Sequence, residues 1–400
     1  MKITPMPPHR FRLVKRDVAA AVSRLASGLT TAATFGMLLA GIGVSLSAQG
    51  SADLKTQNVV LVTIDGLRWQ EVFRGADDGM ANKEFGGVSS RALVEMQRTF
   101  ATGTPWERRR TLMPFVWGEI AQRGQIFGNR DAGSAMRINN AAQISYPGYN
   151  EMLTGFADLR IKDNARIPNP NVTVLEWLNG RPGFAGRVVP LAAWNVFAPI
   201  LNVERSRLPL WLTNQRSDPA TASPQLLEIE RWMRDIPTKG RDEHYDAFVF
   251  RAALDAIETK SPRLLFVGFG EPDTFAHARA YDHYLESIQR VDRFIREFWE
   301  KLQSLPQYRG TTTLVITTDH GRGDAPSDWA NHNPQSPGSE ATWLMVLGPD
   351  TPPLGERRKT APLTTSQVAA TVARFLGEDF RAAFPRAAEA VPEVFPAPVR

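Results

Sequence analysis

Three apolar segments of the sequence each lead into an aspartate. The acids are Asp65, Asp273 and Asp319, and the residues before them are largely apolar and often β-branched. Such runs are typical of strands that are buried on both faces. Because the carboxyl ends of parallel strands lie at one edge of a doubly wound sheet, carboxylates that are distant in the sequence can meet there.

Histidines accompany these strand-end acids. His320 directly follows Asp319, and His277 lies four residues after Asp273, a spacing of about one helical turn. His332 lies further along, in a polar loop. Three aspartates and three histidines are a suitable ligand set for two zinc ions, although other divalent metals also accept such ligands.

Each of these residues alone also has an ordinary structural interpretation. Asp65 could cap the helix that follows its strand, and an isolated histidine is more often a surface or packing residue. His283 has no evident partner, and we expect it to be structural. The joint pattern favours the metal site, because the chain has six histidines and three of them accompany strand-end acids or a later polar loop.

Ser145 is the candidate nucleophile. It opens the turn 145–148 (Ser-Tyr-Pro-Gly), which leads into a predicted helix. A helix N-terminus offers backbone N–H groups to an anion, and a metal ion favours the alkoxide of a coordinated serine. Ser145 could instead be an N-cap residue. Ser134 lies upstream in a loop rich in Gly and Ala and is a weaker candidate.

The elements that position these residues follow from the hydrophobic periodicity. Strands are predicted over 58–64, 125–128, 187–191, 263–270, 311–318 and 341–347. Helices are predicted over 114–123, 145–155, 172–178, 246–258, 284–305 and 365–376. We expect residues 66–110 to be irregular. Alternating strands and helices predict an α/β fold: a doubly wound, predominantly parallel sheet with helices on both faces.

The chain organisation is predicted from composition. Residues 1–48 have a basic start, an apolar stretch and small residues before Gln49, as in an export signal; an uncleaved membrane anchor is the alternative. Residues 49–385 form the main domain, in which about 200–242 could roof the site as a lid. Residues 386–400 form a tail rich in Pro and Ala.

Composition excludes several classes of protein. The 400 residues contain no cysteine, which rules out disulfides, thiolate metal sites and a cysteine nucleophile. The net charge of +5 comes largely from the first 24 residues, so we predict no nucleic-acid-binding module. We expect a bacterial periplasmic or secreted protein that contacts a membrane only through its N-terminal segment.

Taken together, these segments resemble the alkaline phosphatase superfamily, which includes nucleotide pyrophosphatases/phosphodiesterases, sulfatases, phosphoglycerate mutases and phosphatases. The resemblance spans about 58–348, and its elements occur in the family's order. They are Thr63-Ile64-Asp65-Gly66, Ser145-Tyr146-Pro147-Gly148 with Leu153-Thr154-Gly155, Glu271-Pro272-Asp273 with His277, Thr318-Asp319-His320-Gly321, and His332.

The resemblance implies two zinc sites and a serine nucleophile. One site would use Asp273, His277 and His332, and the other Asp65, Asp319 and His320, with Ser145 directed toward the substrate. The implied reaction is in-line attack of Ser145 on phosphorus, which gives a phosphoserine that water then hydrolyses. The expected substrate is a small phosphate ester.

The chain departs from the family pattern, and these departures narrow the range of functions that the resemblance implies. Sulfatases usually use a formylglycine made from cysteine, which this chain lacks. The related phosphodiesterases have Asn where this chain has Gly148, so the contact of that Asn to the phosphoryl group is missing here or supplied from elsewhere, with Asn164 and Arg166 as the candidates. A phosphotransferase or phosphoglyceromutase-like mutase is the alternative function, and a sulfatase or a non-catalytic metal-binding protein is less favoured.

The choice between a monoester and a diester substrate stays open. A monoesterase needs a cation for the additional phosphate charge, which residues 108–110, Lys162 or Arg166 could supply. A diesterase needs an apolar shelf for its second ester group. The tryptophans that could form this shelf are Trp106, Trp117, Trp194 and Trp211.

Overall fold

The computed structural model describes residues 54–238 and 245–397. The predicted export signal, 1–48, lies outside the described residues, and all described residues belong to one unit, 50–400. The strands are β1 (Asn58–Ile64), β2 (Gln125–Phe127), β3 (Met136–Arg137), β4 (Val188–Ala192), β5 (Trp211–Leu212), β6 (Leu264–Phe269), β7 (Thr312–Thr317), β8 (Ala341–Thr342), β9 (Leu344–Leu347), β10 (Gly355–Glu356) and β11 (Leu363–Thr364).

The main sheet has eight strands in the order β10-β2-β9-β7-β1-β6-β4-β5, and β11-β3-β8 form a small second sheet. The central strand β1 pairs in parallel with both β6 and β7. Only β9, among the described strands of the main sheet, runs antiparallel to its neighbours, β2 and β7. The predominantly parallel sheet predicted from the sequence is therefore confirmed.

Helices cover both faces of this sheet, as predicted. They are α1 (Trp69–Arg74), α2 (Lys83–Gly86), α3 (Ser90–Phe100), α4 (Pro105–Leu112), α5 (Ala121–Arg123), α6 (Ser145–Thr154), α7 (Val174–Asn179), α8 (Phe197–Ile200), α9 (Val203–Ser206), α10 (Pro224–Asp235), α11 (Asp246–Lys260), α12 (Glu271–His277), α13 (Tyr281–Ser304), α14 (Val368–Phe375) and α15 (Phe380–Ala383). A π-helix, Val116–Ile120, precedes α5. Among these helices, none has both the length and the apolarity needed to cross a bilayer.

Two apolar cores lie on opposite faces of the sheet because successive side chains of each strand point to opposite sides. In β1, Val60, Val62 and Ile64 pack into one core with α11 and α13. Val59 and Leu61 of the same strand pack into the other core with α6, α7 and α14. Burial on both faces explains the continuous apolar runs in the sequence.

The region 66–110 was predicted to be irregular, and this prediction is wrong. It contains α1 to α4. Among the residues of α3 only Met96 and Phe100 are buried, whereas five of the six residues of α1 are buried. The signal for α4 was present in the sequence, since Thr104 and Glu107 form a capping box around Pro105. Polar residues dominate the exposed faces and obscured this pattern.

Two segments predicted to be peripheral contribute to the core. Within 200–238, β5 forms one edge of the main sheet, and α10 buries Leu226, Ile229 and Met233. The described part of the tail buries Val394 and Phe395 in the second core. Most of the segment 200–238 is thus built into the sheet edge, and a lid over the site stays a prediction.

Candidate metal centre and nucleophile

The tips of the adjacent strands β1 and β7 bring the first ligand group together: Asp65, Asp319 and His320. One ligand atom from each of these side chains lies within 4.8 Å of the other two. His320 Nε2 lies 3.3 Å from an Asp65 oxygen and 3.5 Å from an Asp319 oxygen. Residues more than 250 positions apart therefore meet, because β1 pairs with β7.

The second ligand group is Asp273, His277 and His332. Helix α12 follows β6, the other neighbour of β1. Asp273 and His277 lie one turn apart on this helix, and His277 Nε2 lies 3.2 Å from Asp273 Oδ2. The loop after β7 brings His332 Nε2 to 2.9 Å from His277 Nε2 and 3.7 Å from Asp273 Oδ1. Ligand atoms of Asp273, His332 and the first group's His320 lie within 4.8 Å of one another, so the two groups adjoin at His320, and His277 is the half-exposed member of the second group.

The imidazole tautomers suit metal binding. His320 Nδ1 lies 2.8 Å from the carbonyl oxygen of Gly321, and His332 Nδ1 lies 3.3 Å from that of Gln143. Each Nδ1 therefore carries the proton that it donates, which leaves Nε2 available as a ligand. The two rings stack with centroids 3.9 Å apart, and a ligand atom of each lies within 4.8 Å of one from Asp273.

The electrostatics of the first ligand group also fit a cation. Burial raises the pKa of Asp319 well above its usual range, and the neighbouring Asp65 raises it further. Asp319 Oδ1 accepts a hydrogen bond from the Gly66 amide at 3.2 Å. Asp319 Oδ2 is buried without a hydrogen-bond partner among the described residues. Burial of a carboxylate oxygen without a partner costs folding free energy. A divalent metal ion bound to this oxygen would supply the missing partner.

The second ligand group differs in its charge balance. Burial alone would raise the pKa of Asp273, but Arg322 and His277 outweigh it and hold this pKa well below its usual range. Burial lowers the pKa of His332 to about 2, and the neighbouring His320 contributes to the decrease. A carboxylate and a neutral imidazole are the protonation states in which these side chains bind metals.

Ser145 lies beside two of the three members of the first ligand group. It is the first residue of α6, after the N-cap Ile144, so it is not itself the N-cap. Its Oγ lies 3.2 Å from His320 Nε2 and 3.5 Å from Asp65 Oδ1. Four residues further along α6, the Tyr149 hydroxyl donates to Asp65 Oδ2 at 3.2 Å. The sequence analysis missed Tyr149, although its one-turn spacing from Ser145 was a signal.

The loop that leads into Ser145 is held by a buried carboxylate, Glu151. It accepts hydrogen bonds from the amides of Asn139 and Asn140 at 2.8–2.9 Å and from Ser366 Oγ at 2.6 Å. This anchoring also fixes the Gln143 carbonyl that contacts His332. The nucleophile and one metal ligand are thus supported by the same loop.

The weaker sequence candidates occupy different positions. Asn164 Oδ1 accepts from the Tyr146 amide at 2.9 Å, next to the nucleophile, and Arg166 is exposed on the same loop. Ser134 Oγ accepts instead from the Gly128 amide. His283, for which the sequence showed no evident partner, forms an exposed pair with Glu286 on α13.

Gly148 has a different role from the asparagine of the phosphodiesterases. A Cβ atom at this position would lie 2.4 Å from the carbonyl oxygen of Asp319. Helix α6 therefore packs directly on the backbone of a metal-ligand candidate, and no side chain fits between them. The contact explains why this position holds glycine, which the sequence pattern alone did not.

Comparisons with known proteins bear on the family and the fold. Residues 171–340 match the model of the type I phosphodiesterase / nucleotide pyrophosphatase family. A curated 2,3-bisphosphoglycerate-independent phosphoglycerate mutase from Gracilaria tenuistipitata var. liui is 29% identical over 73 residues. That match covers 18% of this chain and only 13% of the mutase.

Solved structures share the fold at low sequence identity. Alkaline phosphatase PafA superposes with a TM-score of 0.54 at 10% identity, over 86% of this chain and 100% of that chain. A phosphonate monoester hydrolase of Agrobacterium radiobacter gives a TM-score of 0.52 at 13% identity, over 84% of this chain and 77% of that chain.

The fold and the site define a doubly wound α/β protein with clustered Asp and His ligands at the carboxyl edge of its sheet. Over 171–340 the chain is similar to the type I phosphodiesterase / nucleotide pyrophosphatase family, and its fold is similar to that of alkaline phosphatase PafA.

Proposed function

We propose that the chain is a metal-dependent hydrolase of phosphoric esters that uses Ser145 as its nucleophile. The observation that carries this proposal is the position of Ser145 Oγ, 3.2 Å from His320 Nε2 at the start of a buried helix. The family match and the phosphoryl-transfer enzymes that share the fold support the same chemistry.

The first and second ligand groups would each hold one divalent cation, which we expect to be zinc. The two cations would supply positive charge that favours the serine alkoxide and neutralises phosphoryl oxygens. The amides at the start of α6 offer further donors to the phosphoryl group. Tyr149 orients the Asp65 carboxylate. Asn164 accepts from the Tyr146 amide beside the nucleophile and remains our candidate for a phosphoryl contact, together with Arg166.

The proposed reaction has two steps. Ser145 Oγ attacks phosphorus, the bond to the leaving alcohol breaks, and a phosphoserine forms. Water then attacks phosphorus in turn, which releases phosphate or a phosphate monoester and restores the serine. Transfer to an alcohol or sugar in place of water would make the chain a phosphotransferase, and the short match to a mutase is the observation that favours this second candidate.

The environments of the candidate residues bear on the choice of ester. Trp117 and Trp211 are buried and donate their indole N–H groups to Val72 and Glu230. Trp194 follows β4 at the carboxyl edge of the sheet and is only partly buried. We therefore propose Trp194 as the shelf for an apolar ester group, and Arg166 as the cation for a monoester.

The cation candidates on α4 are already engaged. Arg108 pairs with Asp78 at 2.8 Å, and Arg109 pairs with Glu356 at 3.1 Å. Each guanidinium therefore already has an anionic partner. We retain Lys162 and Arg166 as candidates for an additional phosphate charge because they lie on the loop of Asn164, which contacts the Tyr146 amide next to the nucleophile.

Residues 49–400, purified with zinc, provide the test. We compare the hydrolysis of three esters that share one leaving group: a phosphate monoester, a phosphate diester and a sulfate ester. Each is assayed with and without an added alcohol. We expect Ser145→Ala to lose at least about 1,000-fold in kcat, since it removes the covalent step. Ser134→Ala is the matched control, because that serine lies in a loop away from the ligands. Full activity of Ser145→Ala would refute the nucleophile.

We also propose export to the periplasm or beyond, with membrane contact only through the N-terminal segment. The support is the basic and apolar composition of residues 1–48. Fractionation of expressing cells and determination of the mature N-terminus test it. A mature chain that begins near Gln49 is expected, whereas a full-length chain in the membrane fraction would indicate the uncleaved anchor.

A further inference from the structure

Arg322 is a fully buried arginine two residues after His320. Its guanidinium makes contacts in three directions. Nη1 donates to Asp273 Oδ1, Nε donates to the carbonyl oxygen of Trp329 at 3.1 Å, and Nη2 donates to that of Ala330. The phosphoryl chemistry proposed above assigns no role to this side chain.

These contacts join the three segments that create the second ligand group. Arg322 itself follows the tip of β7, Asp273 lies on α12, and the Trp329 and Ala330 carbonyls belong to the loop that delivers His332. Trp329 is fixed in turn, since its indole N–H donates to the Phe85 carbonyl at 2.8 Å. The planar fork of arginine can serve several acceptors at once, which a lysine ammonium cannot do with the same geometry.

The contact with Asp273 is also tightly enclosed. A Cβ atom added to Gly66, which lies next to Asp65, would stand 2.5 Å from Asp273 Oδ1 and 2.7 Å from Arg322 Nη1. Gly66 has a φ of +60°, which favours glycine for a second reason. A side chain at position 66 would therefore collide with the Arg322–Asp273 pair, in which Arg322 holds Asp273 Oδ1 while Oδ2 faces His277.

We propose that Arg322 is a positioning residue that assembles the second metal site, formed by Asp273, His277 and His332, and leaves the first site unaffected. This inference rests on the proposed metal centre. Without the guanidinium, the Asp273 carboxylate loses its fixed partner and the loop before His332 loses two hydrogen bonds. The second group must then be ordered by the metal itself, which weakens binding at that site. Loss of a residue that orients metal ligands typically costs 10- to 100-fold in metal affinity.

The test measures metal binding directly. Zinc content per chain is determined by mass spectrometry after dialysis, and the two affinities are determined by competition with a chromophoric chelator. We expect two zinc ions in the wild type. In Arg322→Lys we expect one site at wild-type affinity and the other weakened 10- to 100-fold. The absorption bands of bound Co²⁺ provide a second readout, because the two sites have different ligands.

Arg68→Lys is the matched control. Arg68 is the other fully buried arginine at this edge, and it binds Glu71 and the Gly323 carbonyl without contacting either ligand group. Its replacement lowers the unfolding temperature but should leave both metal affinities unchanged. Arg322→Gln, which removes the buried charge but retains amide donors, is titrated in parallel in case a buried lysine prevents folding.

The outcomes separate this inference from the proposed function. Two sites of wild-type affinity in both Arg322 variants overturn the positioning role and leave the hydrolase proposal standing. An equal weakening of both sites also overturns it, since it indicates general destabilisation. If the wild type binds no metal at all, the proposed function itself is wrong.

Discussion

The packing of Gly148 on Asp319 allows a sharp prediction for Gly148→Ala. The new methyl carbon would lie 2.4 Å from the Asp319 carbonyl oxygen and 3.0 Å from its carbonyl carbon. Ordinary contact begins at 3.4 Å, so α6 and the end of β7 must separate by about 1 Å. Ser145, three residues earlier on α6, would move relative to His320 by a similar amount.

The expected effect is on turnover more than on stability. A displacement of about 1 Å between a catalytic group and its partners costs about 100-fold in rate, which corresponds to about 2.7 kcal/mol of activation free energy. Overpacking costs about 1–3 kcal/mol of folding stability, but alanine recovers about 1 kcal/mol of helix propensity over glycine. The variant should therefore stay folded and lose most of its kcat.

The assay compares kcat, metal content and urea unfolding of Gly148→Ala with those of Gly118→Ala. Gly118 also lies in a helix, but a Cβ atom there would have no neighbour within 4 Å, so its replacement tests the glycine-to-alanine change alone. The reasoning is refuted if Gly148→Ala, fully folded and loaded with metal, turns over at the wild-type rate.

Two further predictions concern buried polar groups. Tyr149→Phe removes the hydrogen bond to Asp65, and we expect a loss of about 10-fold in kcat/KM with little change in unfolding temperature. Asp292 accepts hydrogen bonds from the Phe115 and Val116 amides, and burial raises its pKa to about 7. Its folded-state pKa lies above the ordinary value of 3.8 that it has in the unfolded chain, so its contribution to stability should decrease as pH rises from about 4 to 7. Asp292→Asn should remove this slope, which urea unfolding at several pH values would measure.

An unchanged kcat/KM of Tyr149→Phe at full metal occupancy would contradict the first of these two predictions. Tyr146→Phe is its control, because that hydroxyl donates to the Ile167 carbonyl and contacts no ligand residue. The second prediction is contradicted if the unfolding free energy of Asp292→Asn changes with pH in the same way as that of the wild type.

The sequence was most informative where a residue directly follows a buried strand. Asp65 and Asp319 could be located because an apolar run points to a central strand, and parallel strands end at one edge. The fold class was predictable for the same reason. The roles of the six ligand candidates and of Ser145 stay predictions, although the structure brings these side chains together.

Other features depend on contacts that no local pattern records. The role that we propose for Arg322 depends on its hydrogen bonds to carbonyl groups and to a carboxylate that lie elsewhere in the sequence. The residues next to Arg322 in the sequence do not distinguish it from a surface arginine. The antiparallel direction of β9 depends on the path of the long loop between Asp319 and Ala341. The helices in 66–110 were missed because their apolar stripes are only two or three residues long.

The central position of β1 has a consequence for the biogenesis of the protein. Val59 pairs with Leu264 and Asn58 pairs with Thr312, so both partner strands are made more than 200 residues after β1. At about 5–20 residues per second, β1 waits on the order of 10–50 s for its neighbours during synthesis. Until its neighbours are made, this apolar strand has unpaired edges that can associate with other chains. A chain that ends before residue 312 lacks β7 and leaves one edge of β1 unpaired.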